Sequence, residues 1–283
     1  VSGIDSTINP TPDFTVGFIG GGNMAAAIVR GLVAAGVQPG QLAVADPAAA
    51  ARAGINAIAT GIATGSDNAA VAATADVLVL AVKPQVLPAT CGTLGARRPG
   101  QLVISVAAGV RLASLAAWLG SGTPLVRAMP NQPALIGAGI TALAATPNVS
   151  TRDRERAAAI LRAAGAIVWL DDESLMDAVT AVSGSGPAYF YLLTELLEAA
   201  GREVGLPPAL AATLARQTAL GAGRTLVETG QEPAALRATV TSPGGTTAAA
   251  VAAFEQAGLA AIVRRAVTAA RDRGIELGRA AGN

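Results

Sequence analysis

Two stretches of this 283-residue chain hold residue types whose spacing suits chemistry. In the first, VGFIGGGNMAAAIVRGL from Val16 to Leu32, Gly20, Gly22 and Ala25 fall on a G-x-G-x-x-A spacing between an apolar β-branched run and an Ala-rich amphipathic stretch. That order reads as strand, tight turn and helix. The first glycine makes the turn, the second lets backbone approach a pyrophosphate, and the alanine lets helix and strand pack closely. The helix N-terminus then offers its N–H groups to the phosphates. Ordinary glycine loops share the bare spacing, but a second apolar run, Gln41 to Ala45, ends in Asp46, where such folds place the group that reads the adenosine ribose. In the second stretch, TVTSPGGTTAAAV from Thr239 to Val251, the residues Ser242, Pro243, Gly244 and Gly245 turn into an Ala-rich helix starting near Thr246. Backbone N–H groups and the hydroxyls of Ser242, Thr246 and Thr247 gather there, which suits a small carboxylate. An ordinary helix cap uses the same kind of turn, though it needs only one hydroxyl.

What is missing narrows the chemistry further. The chain has no histidine and its only lysine is Lys83, so the usual acids and bases near neutral pH are nearly absent. Oxidising a hydroxyl needs a base to take its proton, whereas a protonated imine needs only to be positioned against a hydride donor. Tyr189, Tyr191, Cys91 and the carboxylates remain as proton donors. No metal site is expected, because carboxylates alone would have to supply it and Asp171-Asp172-Glu173 reads as a solvated turn.

These residues need a scaffold, and the pattern supplies one. Apolar runs at Phe14 to Ile19, Leu42 to Ala45, Val77 to Val82, Leu102 to Val106 and Leu125 to Met129 alternate with helical stretches, which predicts a parallel sheet with crossover helices. Runs at Gly139 to Ala144 and Ala166 to Leu170 extend it, and Thr151 to Ala164 reads as a surface helix capped near Ser150 or Thr151. After Asp171 strand-like runs stop and long Ala/Leu stretches follow, notably Ala188 to Val204, Ala209 to Val227 and Thr246 to Phe254. The expected architecture is α/β: a Rossmann-type dinucleotide-binding domain over 14–172 and an all-α domain over 173–283, after a mobile leader at 1–13. Several of the later helices are apolar around most of their circumference, which predicts a homodimer with interlocked helices.

Composition agrees. With 52% hydrophobic and 14% charged residues the chain can bury a large core, and a formal net charge of +1 gives no field that would draw it to nucleic acid. Mean hydropathy is +0.49, yet the apolar runs are interrupted by Arg30, Lys83 and glycines well short of about 18 residues, so no membrane span is expected. A single cysteine excludes an internal disulfide framework, and no secretory pattern opens the chain, so a cytoplasmic location is expected.

From Phe14 onward the chain resembles the pyrroline-5-carboxylate reductases, which reduce a cyclic imine to proline. The likeness is carried by FIGGGNMA at Phe18 to Ala25, AVKPQ at Ala81 to Gln85, RAMPNQPALIGAGITAL at Arg127 to Leu143, AVSGSGPAYFY at Ala181 to Tyr191, and PAALRATVTSPGGTTAAAVAAF at Pro233 to Phe254. The resemblance implies reduction of 1-pyrroline-5-carboxylate by NADPH or NADH, a helical domain that builds a swapped dimer, and larger rings such as a decamer of five dimers. It also implies cofactor contacts at Gly20, Gly22, Asn23, Met24 and Ala25 for the pyrophosphate, Asn68 near the adenosine, and Ala81, Val82, Lys83 and Pro84 along the nucleotide. Ala107, Ala108, Gly109 and Asn131 fall on the nicotinamide side, and Ser242, Gly244, Gly245, Thr246 and Thr247 match the family's substrate-carboxylate loop.

One corner departs from that pattern. Asp46-Pro47 stands where many NADPH-preferring relatives carry Ser, Thr or Asn followed by basic residues. A carboxylate there favours a ribose 2′-hydroxyl, while Arg52 is within reach to neutralise a 2′-phosphate, so the choice of cofactor stays open. The same helical plan occurs in β-hydroxyacid dehydrogenases, but those resemble a family that needs a lysine in the helical domain, and none follows Lys83.

Overall fold

The computed structural model describes residues 13–280, so positions 1–12 of the expected leader lie outside the described residues. The chain divides into two compact units: one runs to Gly184 and takes the chain up again from Arg271, and the other is Ser185–Ala270.

The first unit is built on an eight-stranded sheet: β1 (Val16–Ile19), β2 (Leu42–Ala45), β3 (Ala63–Gly65), β4 (Val77–Leu80), β5 (Leu102–Ser105), β6 (Leu125–Met129), β7 (Gly139–Ala145) and β8 (Gly165–Trp169). Their order is β3-β2-β1-β4-β5-β6-β7-β8, parallel throughout except for the antiparallel pair β6 and β7. The first six strands thus follow the doubly wound dinucleotide-binding order, which reverses between β1 and β4. Sequence periodicity located every strand but β3, whose Ala-Thr-Gly has no apolar run to mark it.

Both faces of the sheet are covered. In β4 all four side chains have no exposed surface; Val77 and Val79 join the core cluster of Phe18, Ile28 and Leu32, while Leu78 and Leu80 join that of Leu87, Leu94 and Leu115. Strand alternation sends these two sets to opposite faces, and this is why the strand reads as an unbroken apolar run. The covering helices are α1 (Asn23–Ala34), α2 (Ala49–Asn56), α3 (Asn68–Thr74), α4 (Leu87–Gly92), α5 (Leu112–Leu119) and α6 (Thr151–Arg162). Ser150 caps α6 as expected, its Oγ accepting from the Asp153 amide at 3.1 Å. Gly31 brings α1 against the end of α6 so closely that a β-carbon would sit 1.8 Å from the Ala163 carbonyl oxygen. A short α7 (Met176–Val179) and a π-helical turn (Thr180–Gly184) close this part of the unit.

The second unit is helical: α8 (Gly186–Glu203), α9 (Pro208–Thr229), α10 (Pro233–Thr239), α11 (Thr246–Gln256) and the first half of α12 (Leu259–Ala280). Helices α8 and α9 pack on each other, with Gly201 close to Ala211. Among the described residues no single helix is long and apolar enough to cross a membrane; α11 and α12 reach that length only together, across a 56° bend.

Candidate active site

Because β2, β1, β4, β5 and β6 run parallel, their C-terminal ends deliver Asp46, Gly20, Ala81–Pro84, Ala107–Gly109 and Asn131 to one edge of the sheet. Gly20 turns the chain there with a φ of +98° and donates to the Ala45 carbonyl at 2.7 Å. A β-carbon on it would lie 2.7 Å from the Ala81 carbonyl oxygen, so the position accepts only glycine. Gly22 is the opposite case, with nothing within 4 Å of where its β-carbon would stand. It is the N-cap of α1 and no side chain caps that helix, so the N–H groups of the first turn, through Asn23, Met24 and Ala25, keep their donor capacity. Open space before uncapped amides suits a pyrophosphate, and the fully buried Ala25 seats the helix on the sheet.

At the end of β2, Asp46 is already engaged. Its Oδ2 accepts from the Gly21 amide at 2.7 Å and its Oδ1 from the Ala48 amide at 2.8 Å, which ties the glycine turn to the start of α2. Arg52 does not swing free: its Nη1 donates to the carbonyl oxygens of Asp46 at 2.7 Å and Pro47 at 3.0 Å. Carboxylate and guanidinium thus share one turn. Asn68 opens α3, whose cap is Asp67, and donates to Thr93 Oγ1 at 2.8 Å. Lys83 is exposed at the start of the Pro84–Val86 turn.

The strand ends that carry Ala107–Gly109 and Asn131 are more heavily braced than their sequence suggests. Asn131 donates to the Ser183 carbonyl at 3.1 Å and accepts from the Ile140 amide at 3.0 Å, bridging the β6–β7 connection to the π-helical turn. Ser105 Oγ accepts from the Ala107 amide at 3.3 Å. Glu173, expected in a solvated turn, instead pairs with Arg127 at 2.8 Å, and Arg127 is only 4% exposed. The correction has a readable cause: an arginine inside the apolar strand Leu125–Met129 demands a counter-charge. Asp172 does fit a turn; the Ser174 hydroxyl and amide hold its carboxyl below the usual carboxylate range. Cys91 packs in the core, and burial pushes its thiol up to about 11 against the opposing charge of Arg97, so at neutral pH it is a protonated core group.

In the second unit, Gly244 has a φ of +71° and Gly245 donates to the Ser242 carbonyl at 3.0 Å before becoming the N-cap of α11. A β-carbon on Gly245 would stand 2.7 Å from Ser242 Oγ. No side chain caps α11. Ser242 thus precedes, and Thr246 and Thr247 open, a helix whose N-terminus no side chain caps, and free amides there are able to receive a carboxylate.

Fold and site together define an oxidoreductase of the dinucleotide-binding class with an α-helical second domain. Residues 173–277 match the family model described as pyrroline-5-carboxylate reductase dimerisation, and residues 15–109 the one described as NADP oxidoreductase, coenzyme F420-dependent. The chain belongs to the pyrroline-5-carboxylate reductase family. It is 49% identical to the pyrroline-5-carboxylate reductase of Pseudomonas aeruginosa over 93% of this chain and 96% of that one, and 44% identical to that of Synechocystis over 93% and 98%. Among solved structures, the Coxiella burnetii enzyme superposes with a TM-score of 0.90 at 40% identity, covering 94% of this chain and 99% of that one. The Plasmodium falciparum pyrroline carboxylate reductase, solved with NADP bound, gives a TM-score of 0.82 at 30% identity, covering 94% and 98%.

Proposed function

We propose that this protein reduces 1-pyrroline-5-carboxylate to L-proline with NADPH or NADH. The observation that carries the reading is the uncapped N-terminus of α11, which begins Thr246-Thr247 after the Ser242–Gly245 turn, in a chain with no histidine and no lysine after Lys83. Such an inventory suits a carbon acceptor that is already protonated at nitrogen and needs orientation more than proton transfer. When bound, a reduced nicotinamide would supply the hydride that the imine carbon needs, the C=N π pair becoming the lone pair of the product amine.

The chain's own residues bind and orient. Gly20, Gly22, Asn23, Met24 and Ala25 take the pyrophosphate; Asp46, Arg52 and Asn68 take the adenosine half. Ala81, Val82, Lys83 and Pro84 run along the nucleotide, and Ala107, Ala108, Gly109 and Asn131 bound the nicotinamide. Ser242, Gly244, Gly245, Thr246 and Thr247 hold the substrate carboxylate. In this division residues 14–172 serve the cofactor, and 173–283 serve the substrate and the dimer. Exposed apolar side chains along α8, among them Phe190, Leu192 and Leu196, support a homodimer, and rings of dimers up to a decamer follow from the family pattern. We place the enzyme in the cytoplasm, which suits its single buried thiol.

The test is steady-state oxidation of NADPH, and separately NADH, by the purified protein with 1-pyrroline-5-carboxylate, followed by nicotinamide absorbance. Imine-dependent turnover is expected, and the ratio of specificity constants reads out whether Asp46 or Arg52 governs cofactor choice. Folded protein that binds dinucleotide yet turns over neither cofactor overturns the reading and leaves a dinucleotide sensor or an enzyme for another imine.

A further inference from the structure

One carboxylate oxygen makes two bonds beside the nicotinamide loop. Glu173 Oε1 accepts from the Leu112 amide at 2.9 Å and from Arg127 Nη1 at 2.8 Å. Leu112 begins α5, and its neighbour Arg111 supplies no side-chain cap. The cap comes instead from Glu173, at a sequence separation of 61. Arg127 lies in β6 directly opposite Ser105 of β5, and Ser105 Oγ fixes the Ala107 amide. The connection from β5 to α5, which contains Ala107, Ala108 and Gly109, is therefore held at one end by Ser105 Oγ and at the other by Glu173, whose partner Arg127 stands in register with Ser105 on the neighbouring strand. Gly109 has a φ of +78°, and its β-carbon position stands 3.8 Å from the Gly278 backbone nitrogen, so the loop also has a backbone neighbour in α12.

We propose that Glu173 is a positioning residue for the reduction: through Arg127 and the Leu112 amide it sets the Ala107–Gly109 loop at the place where the nicotinamide ring is held. The proposal rests on the reductase reading above. Arg127 is nearly devoid of solvent contact, so removing the charge of Glu173 strands the guanidinium and loosens the group that both it and the Leu112 amide hold. The loop then loses the fixed relation between β6 and α5. Hydride transfer punishes such slack, because a misplacement of about 1 Å costs roughly 100-fold in rate.

Glu173→Gln keeps an acceptor for Leu112 and removes the charge. Its kcat with 1-pyrroline-5-carboxylate is expected to fall by about 10- to 100-fold, with the imine KM nearly unchanged. The emission of bound NADPH, which reports the nicotinamide ring, should change, while the affinity for 2′,5′-ADP, which carries only the adenosine half, should not. The double variant Arg127→Met with Glu173→Gln leaves no stranded charge and guards against a single variant that fails to fold. In it thermal stability should recover while kcat stays low. Recovery of kcat along with stability assigns the pair to structure alone and overturns the proposal; so does a Glu173→Gln enzyme with wild-type kcat and NADPH emission, or an equal loss of 2′,5′-ADP affinity. A wild-type protein without imine turnover overturns the reductase reading instead, and the NADPH and 2′,5′-ADP measurements still decide the role of Glu173.

Discussion

The sheet unit and the helical unit treat apolar surface in opposite ways. In the first, strands such as β4 hide every side chain between two layers of helices. In the second, α8 buries only Gly186 and α11 buries nothing, while Phe190 is 66% and Leu196 56% exposed. Burying apolar area is worth about 25 cal/mol per Å², so the first unit carries its own source of stability and the second has much of its gain still to make. A continuous apolar face of this kind marks an association surface. On the proposed reading, the difference teaches that cofactor binding and assembly draw on separate parts of one chain: the proposed dinucleotide cradle needs only a finished sheet, whereas the proposed carboxylate turn sits in a unit matched by a dimerisation family model and left with apolar surface to cover.

Leu196→Glu is the most forceful way to break that comparison. On a face that pairs with another copy it buries an unpaired carboxylate, at a cost on the order of 3–5 kcal/mol, which weakens association by at least about 100-fold. Sedimentation should find monomer where the parent is oligomeric, imine reduction should be lost, and NADPH binding should survive. A Leu196→Glu protein that still assembles and turns over shows that the exposed face of α8 is not the pairing surface.

A reciprocal pair of substitutions sharpens the same contrast at smaller scale. Gly20→Ala forces a side chain into φ +98° and against the Ala81 carbonyl; strain of about 1–3 kcal/mol accompanies the clash, and NADPH affinity should fall at least about tenfold. Thr247→Ala removes one hydroxyl from the turn before α11, and a hydrogen bond to a charged group is worth about 1.5–3 kcal/mol, so the imine KM should rise about tenfold or more. Calorimetry with NADPH should leave Thr247→Ala at the parent value. Equal loss of both ligands in either variant means the two sites are not separable as argued.

How far the sequence reaches follows the same division. The glycine turn was legible because Gly20 and Gly22 obey backbone rules that act within a few residues, and the doubly wound sheet was legible because buried parallel strands leave unbroken apolar runs. Strand β3 was not, since Ala63, Thr64 and Gly65 join the sheet through backbone pairing to β2 alone. The bracing of the site was also hidden. Asp46 reads as a ribose ligand by position, but its bonds to the Gly21 and Ala48 amides belong to the folded turn. Glu173 looks solvated between Asp172 and Ser174, and only the topology sets it against Arg127 of β6, 46 positions away. Arg127 inside an apolar strand was the available warning.

Asp76 offers the gentlest test, because it supports the first unit without touching either proposed ligand site. It stands just before β4, on the edge of the sheet opposite the cofactor loops, where Oδ2 accepts from the Thr15 amide and hydroxyl, each at 2.9 Å, and Oδ1 pairs with Arg98 at 2.7 Å. The Thr15 amide, against the opposing effect of burial and helped by the Thr15 hydroxyl and the charges of Arg98 and Arg156, holds its carboxyl below the ordinary 3.8. A carboxylate lowered on folding stabilises the protein fully above the ordinary value, and this contribution is lost as pH falls through the lower folded value. Asp76→Asn keeps the shape and drops the charge, so urea unfolding at pH 7 should show a loss of about 1–2 kcal/mol. The gap between parent and variant should narrow as the pH is taken below 3.8. NADPH affinity, imine KM and assembly at pH 7 should match the parent. A change in assembly from so small a loss in the sheet unit would mean that the helical unit borrows its stability from the first, and the separation drawn between them would fail.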